Sequence, residues 1–142
     1  GFFAYGMPEQ AEAIYRALVD SRRISSGERA DARYNLALAL SRQAKHEAAL
    51  VTYQEVADDP MTPRHLRVSA LNSIGAMKNG LGNPAGAEQA FTAALAIDPA
   101  YEFAAVNLAN LYAAQGRSAD LSRLLAGPAG RLAEVRRRFP GQ

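Results

Sequence analysis

The feature that most constrains this chain is a register that recurs along it. Gly6, Ala44, Gly82 and Gly116 stand at steps of 38, 38 and 34 residues. Ala11, Ala49, Ala87 and Leu121 keep the same steps, and so do Tyr15, Tyr53, Phe91 and Leu125. Ahead of them Leu36, Ile74 and Leu108 share the register, each followed by a small residue: Ala37, Gly75 or Ala109. So many positions moving in step are hard to obtain by chance, even in a chain with 30 alanines. A period of this length denotes stacked supersecondary units, because one unit cannot bury its own apolar face.

Each unit reads as two amphipathic helices separated by a glycine-bearing turn, and no segment alternates convincingly enough for a β-strand. In the second unit Thr62-Pro63 opens a helix, with Thr62 as N-cap and Pro63 at the first helical position. Leu71, Ile74, Gly75 and Lys78 follow at i, i+3, i+4 and i+7. Gly80-Leu81-Gly82 stops that helix and Asn83-Pro84 starts the next. Its inward stripe is Ala87, Phe91, Ala94 and Leu95, and Asp98-Pro99 ends it. In the first unit Ser25 and Glu28 have capping-box spacing ahead of a helix through residues 33–42. The third unit carries a first helix through 104–115 and a shorter second one after Ser118.

The two 38-residue steps predict loops four residues longer than in the third unit, at 21–30 and 58–65. Pro128 predicts that the third unit's second helix is cut short, with a separate terminal helix over 128–139. Leu132 and Val135 are spaced to pack inward, while Arg131, Glu134, Arg136, Arg137 and Arg138 stay in water, as suits the end cap of a stack. The arginines then sit at the negative end of the helix dipole.

These residues resemble the tetratricopeptide repeat, whose pattern is W-x2-L-G-x2-Y…A-x3-F…P over about 34 residues. The second unit reads Leu71-x2-Ile74-Gly75-x2-Lys78…Ala87-x3-Phe91…Pro99. The first gives Arg33-x2-Leu36-Ala37-x2-Leu40…Ala49-x3-Tyr53, with Pro60 near its end. The third gives Ala105-x2-Leu108-Ala109-x2-Tyr112, then Leu121-x3-Leu125 and no closing proline. Phe2, Gly6, Ala11 and Tyr15 look like the latter part of another unit. The resemblance implies an all-α fold: an α-solenoid of stacked antiparallel helix pairs in a right-handed superhelix, closed by a C-terminal capping helix. Residues 1–139 then form one domain, with a partial repeat at 1–20, repeats at 28–60 and 62–99, a degenerate repeat at 101–125 and the cap at 128–139.

Chemistry is sparse. His46 and His65 are the only histidines and neither has a second ligand at metal spacing, so no metal or cofactor is expected. Gly80-x-Gly82-x-x-x-Gly86 has the wrong spacing for a dinucleotide fingerprint and no strand ahead of it. No nucleophile elbow, phosphate-binding loop or catalytic carboxylate pair is present, and no catalytic residue is assigned. With 16 Lys and Arg against 14 Asp and Glu, the charge is nearly balanced. Arg136, Arg137 and Arg138, with Arg131 ahead of them, form the only basic cluster and lack interleaved aromatics, so no nucleic-acid partner is expected. No apolar run approaches ~18 residues, so no membrane span is expected. Zero cysteines exclude a disulfide framework but leave cytoplasm and periplasm both open.

A second stripe runs beside the core stripe of each first helix. In the first unit it holds Tyr34, Asn35, Leu38 and Arg42, in the second Asn72, Ser73 and Asn79, and in the third Phe103, Val106, Asn107 and Asn110. The resemblance implies that first helices line a concave groove that binds a peptide or partner protein. Asparagine amides suit an extended backbone, since each offers an acceptor and two donors. Phe103 and Val106 are expected to add an apolar pocket, and Arg42 an anion contact. The paired Lys/Arg clamp of chaperone-tail receptors is missing, and Asn35 and Asn107 alone do not make it. The expected function is a non-enzymatic interaction module or scaffold. Arginine at 14 against lysine at 2 points to a GC-rich bacterial source, and so to a bacterial multiprotein assembly. The alternative is a regulatory or substrate-docking segment of a larger enzyme such as a transferase. The chain begins inside a unit and reads as a piece of a longer protein, or else as one that self-associates through Phe2 and Phe3.

Overall fold

A computed structural model describes residues 7–141. Phe2, Phe3 and Gly6 lie outside the described residues, and so does the self-association edge expected there. Eight α-helices follow in order: α1 (Pro8–Asp20), α2 (Ser26–Arg42), α3 (His46–Asp58), α4 (Arg64–Gly80), α5 (Pro84–Ile97), α6 (Glu102–Ala114), α7 (Ser118–Ala126) and α8 (Ala133–Arg138). A 3-10 turn, Pro128–Arg131, separates the last two. There is no strand among the described residues. The fold is all-α, and α1 packs on α2, α2 on α3, α5 on α6 and α6 on α7. The chain forms two compact units, Gly1–Ile74 and Gly75–Gln142, so the boundary falls inside α4.

The turns within each pair are the same structure repeated. Ala44, Gly82 and Gly116 all take left-handed backbone, at φ 58°, 83° and 67°. The following amides, of Lys45, Asn83 and Arg117, donate to the carbonyls of Leu40, Lys78 and Tyr112 at 3.0, 2.8 and 2.9 Å. These close the helix ends in Schellman fashion and satisfy carbonyls that would otherwise be orphaned. Helix starts follow local chemistry too. Ser25 and Glu28 exchange both capping-box bonds at 3.1 Å, and the Asn83 side chain accepts from the Gly86 amide at 3.0 Å with Pro84 at the first position.

Thr62 departs from its expected role. The Pro63 carbonyl starts the α4 ladder by accepting from Arg67 at 3.1 Å. The Thr62 hydroxyl is buried with no hydrogen-bond partner among the described residues. One step back in the register stands Ile24, so Thr62 fills an apolar packing position rather than a cap.

The four extra residues of the longer units also lie elsewhere than expected. They lengthen helices, not loops: α2 and α4 each have 17 residues against 13 in α6. The added turn carries an arginine that reaches back to the preceding helix. Arg29 donates to the carbonyls of Val19 and Ser21, and Arg67 donates to Ala57 at 3.4 Å. Val19 and Ala57 are one 38-residue step apart, so the same cap recurs at the same place. At the third step Tyr101 replaces the arginine and the turn is absent.

In the first unit Ala11, Ala37, Leu40, Ala49, Tyr53 and Val56 form the core. In the second, α4 lays Gly75 directly on the buried Phe91 ring, where a Cβ would stand 2.5 Å from a ring carbon. A carboxylate clasp joins neighbouring helices in each. Glu12 on α1 accepts from Lys45 at 2.8 Å and Gln43 at 2.9 Å. Glu88 on α5 accepts from Arg117 at 2.5 Å and from the Tyr112 hydroxyl at 3.2 Å, with the guanidinium 4.8 Å over the Tyr112 ring. Glu12 and Glu88 share the register, as do Lys45 and Arg117.

The C-terminal segment does cover the second unit's core, but not as one helix. Pro128–Arg131 is a 3-10 turn, Leu132 is extended, and only Ala133–Arg138 is α-helical. A Cβ on Gly130 would overlap the Leu125 carbonyl, so the chain crosses α7 too closely to continue a regular helix. Val135 is fully buried, in a cluster with Ala105, Val106 and Ala129. The Glu102 carboxylate accepts from the Glu134 amide at 2.8 Å and so caps the start of α8.

Candidate interaction surface

In the first unit Tyr34, Asn35 and Leu38 lie half-buried along α2, and Arg42 is exposed near its end. The i, i+4 and i+8 spacing of Tyr34, Leu38 and Arg42 keeps them close to one line. Tyr34 meets Tyr53 of α3 edge-on, with centroids 5.5 Å apart and planes at 70°. Ser73 of α4 hydrogen-bonds the Tyr53 phenol, and the Arg42 charge also acts on it. Burial, and then Tyr34, push that phenol up to about 12. Three of the sequence-predicted residues therefore converge on Tyr53, which the register identified only as a packing residue. Asn35 donates its amide to the Asp31 carbonyl at 3.0 Å, and Asn72 is half-buried on α4.

In the second unit Asn79 is exposed at the end of α4. Phe103, Asn107 and Asn110 follow at i, i+4 and i+7 on α6. Phe103 is 69% exposed, with the Tyr101 ring 5.6 Å away. Asn110 is exposed and Asn107 half-buried. Val106 does not belong with them. It is buried among Ala105, Ala129 and Val135, so the terminal segment already occupies the apolar pocket expected beside Phe103. The sequence pattern placed Val106 on the wrong side because it gave no sign of where α8 returns.

The histidines are exposed, and among the described residues no three His, Cys, Asp or Glu side chains cluster to hold a metal ion. The terminal arginines are partly neutralised, since Arg137 and Arg138 pair with Glu134 at 2.5 and 2.8 Å. Among the described residues no helix is long and apolar enough to cross a membrane. In the first unit α2 offers an aromatic ring, an amide and a guanidinium, and in the second α6 offers an aromatic ring and two amides. Such a combination suits non-covalent recognition, in which exposed aromatics and arginines contribute most of the binding energy. No protein-family model matches the chain, and no curated protein matches it.

Proposed function

We propose that the chain is a non-enzymatic interaction module of the tetratricopeptide-repeat kind, which binds a peptide or partner segment along the exposed stripe of its first helices. The observation that carries this reading is Phe103. It is 69% exposed, the most exposed large apolar side chain described, and it shares one helix face with Asn107 and Asn110. An aromatic ring presented beside amide donors and acceptors is the arrangement that anchors a side chain while fixing an extended backbone. The recurrence of the turn, the arginine cap and the carboxylate clasp in register supports the repeat reading.

The test uses a peptide selected from a display library against the whole chain. Phe103→Ala is expected to weaken its binding at least tenfold, and Asn107→Ala with Asn110→Ala about three- to tenfold, with circular dichroism unchanged. Phe103 contributes little to the core, so its replacement leaves the fold intact. Unchanged affinity in both variants contradicts the assignment.

A further inference from the structure

A cavity of about 330 Å3 lies in the second unit, walled by Leu95 and Pro99 at the end of α5 and by Leu124, Pro128 and Ala129 at the end of α7. Leu95 and Leu124 pack on the buried cluster of Ala105, Val106, Ala129 and Val135, so the walls are held from behind. Two departures from the register coincide here, both internal to the fold. α7 stops at Ala126 after 9 residues, where α5 runs for 14. The extra turn that brings Arg29 and Arg67 back to the preceding helix is absent ahead of α6.

The second departure leaves an acceptor unmet. Val19, Ala57 and Leu95 stand one step apart, and an arginine donates to each of the first two carbonyls. Pro99, four residues after Leu95, has no N–H to give, and the Asp98 amide donates to Ala94 at 2.9 Å. The Leu95 carbonyl is therefore without a donor among the described residues. Arg123 also lines the cavity, with 76% of its side chain in solvent and one bond to Asp120 at 2.9 Å.

We propose that this cavity receives a tryptophan side chain of a bound partner peptide. The apolar walls call for a large apolar body, the Leu95 carbonyl for one N–H donor, and the Arg123 guanidinium for a ring face. Indole supplies all three and brings no acceptor that would be left unpaired. Lysine or arginine would set a second cation beside Arg123. Leucine or phenylalanine would cover the carbonyl without giving it a donor, which costs free energy. The size suits a single side chain, at the small end of ligand sites, which run from about 300 to 1,000 Å3. This is a different surface from the stripe of Phe103, Asn107 and Asn110, and either can fail alone.

The probe is the capped pentapeptide acetyl-Ala-Gly-Trp-Gly-Ala-amide. The chain holds no tryptophan, so indole emission reports the probe without background. Titrated with the whole chain, that emission is expected to shift to the blue and saturate. Methylating the indole nitrogen removes the donor and weakens binding about three- to tenfold. Gly127 lines the cavity on extended backbone, and a Cβ there meets only the Leu124 and Arg123 carbonyls, at 3.5 and 4.0 Å. Gly127→Val thus adds bulk without strain and weakens binding at least tenfold. Arg123→Ala weakens it about threefold, and keeps the test decisive if Gly127→Val alters the circular dichroism. Phe103→Ala leaves binding unchanged. Absence of a saturable shift, equal affinity for the methylated probe, or indifference to both cavity variants overturns the proposal. So does affinity lost with Phe103→Ala, which puts the tryptophan on the other surface. A dimer in sedimentation that Gly127→Val dissolves overturns it as well, by assigning the cavity to a second copy.

Discussion

Ala44 holds a backbone position that glycine holds at both later turns. Its φ of 58° brings Cβ towards the carbonyl oxygen, a strain of about 1–2 kcal/mol that glycine does not feel. Ala44 is exposed and gives up no packing if it is replaced. Ala44→Gly is therefore expected to stabilise the chain by roughly 1 kcal/mol, after the extra entropy of an unfolded glycine is set against the relief. Urea unfolding reads this directly, and a loss of stability would show that the turn is not strained. Gly75 is the opposite case. Its missing Cβ leaves room for the Phe91 ring, which is 2% exposed and cannot swing into water. Gly75→Ala gains about 1 kcal/mol of helix propensity but overpacks the core at about 1–3 kcal/mol. A lower unfolding midpoint is expected, and a rise would mean that the ring shifts freely.

Between elements, the carboxylate clasps make stability depend on pH. Lys45 first, and then Gln43, hold the Glu12 carboxyl down from 4.5 to about 2. Arg117 lowers both Glu88 and Asp120. A carboxyl whose folded value is depressed contributes stability that is complete above its unfolded value, and loses it as the pH falls through the folded one. Urea midpoints of the native chain are thus expected to decline between pH 5 and about 2. Glu12→Gln should flatten part of that decline while lowering the midpoint at neutral pH, and coincident curves would leave the clasp without energetic weight. These same contacts mark where the sequence was readable. Caps and turns were legible because Ser25, Asn83, Gly82 and Gly116 act through their own nearest backbone. The extra helical turns were not, because Arg29 and Arg67 stabilise them through carbonyls ten residues away. Residues 21–30, rich in Ser and Arg, read locally as loop for that reason.

At the scale of the molecule, helix number, order and class were legible in the register, since apolar spacing and turn residues repeat together. Of the positions expected on the first helices, Arg42, Asn79, Phe103 and Asn110 are exposed. Val106 and the broken terminal helix were not legible, because both depend on where Pro128–Arg138 folds back, which no local spacing encodes. Stability in a stacked architecture is close to a sum of neighbour contacts, so binding surfaces can vary while the frame persists. The central claim is that the first helices bear the binding surface. It is tested most directly by a heteronuclear NMR titration of the isotopically labelled whole chain with the display-selected peptide. Shifts concentrated at Phe103, Asn107 and Asn110 of α6, and at Tyr34, Leu38 and Arg42 of α2, are predicted. Shifts concentrated on α3, α5 and α7 would contradict it.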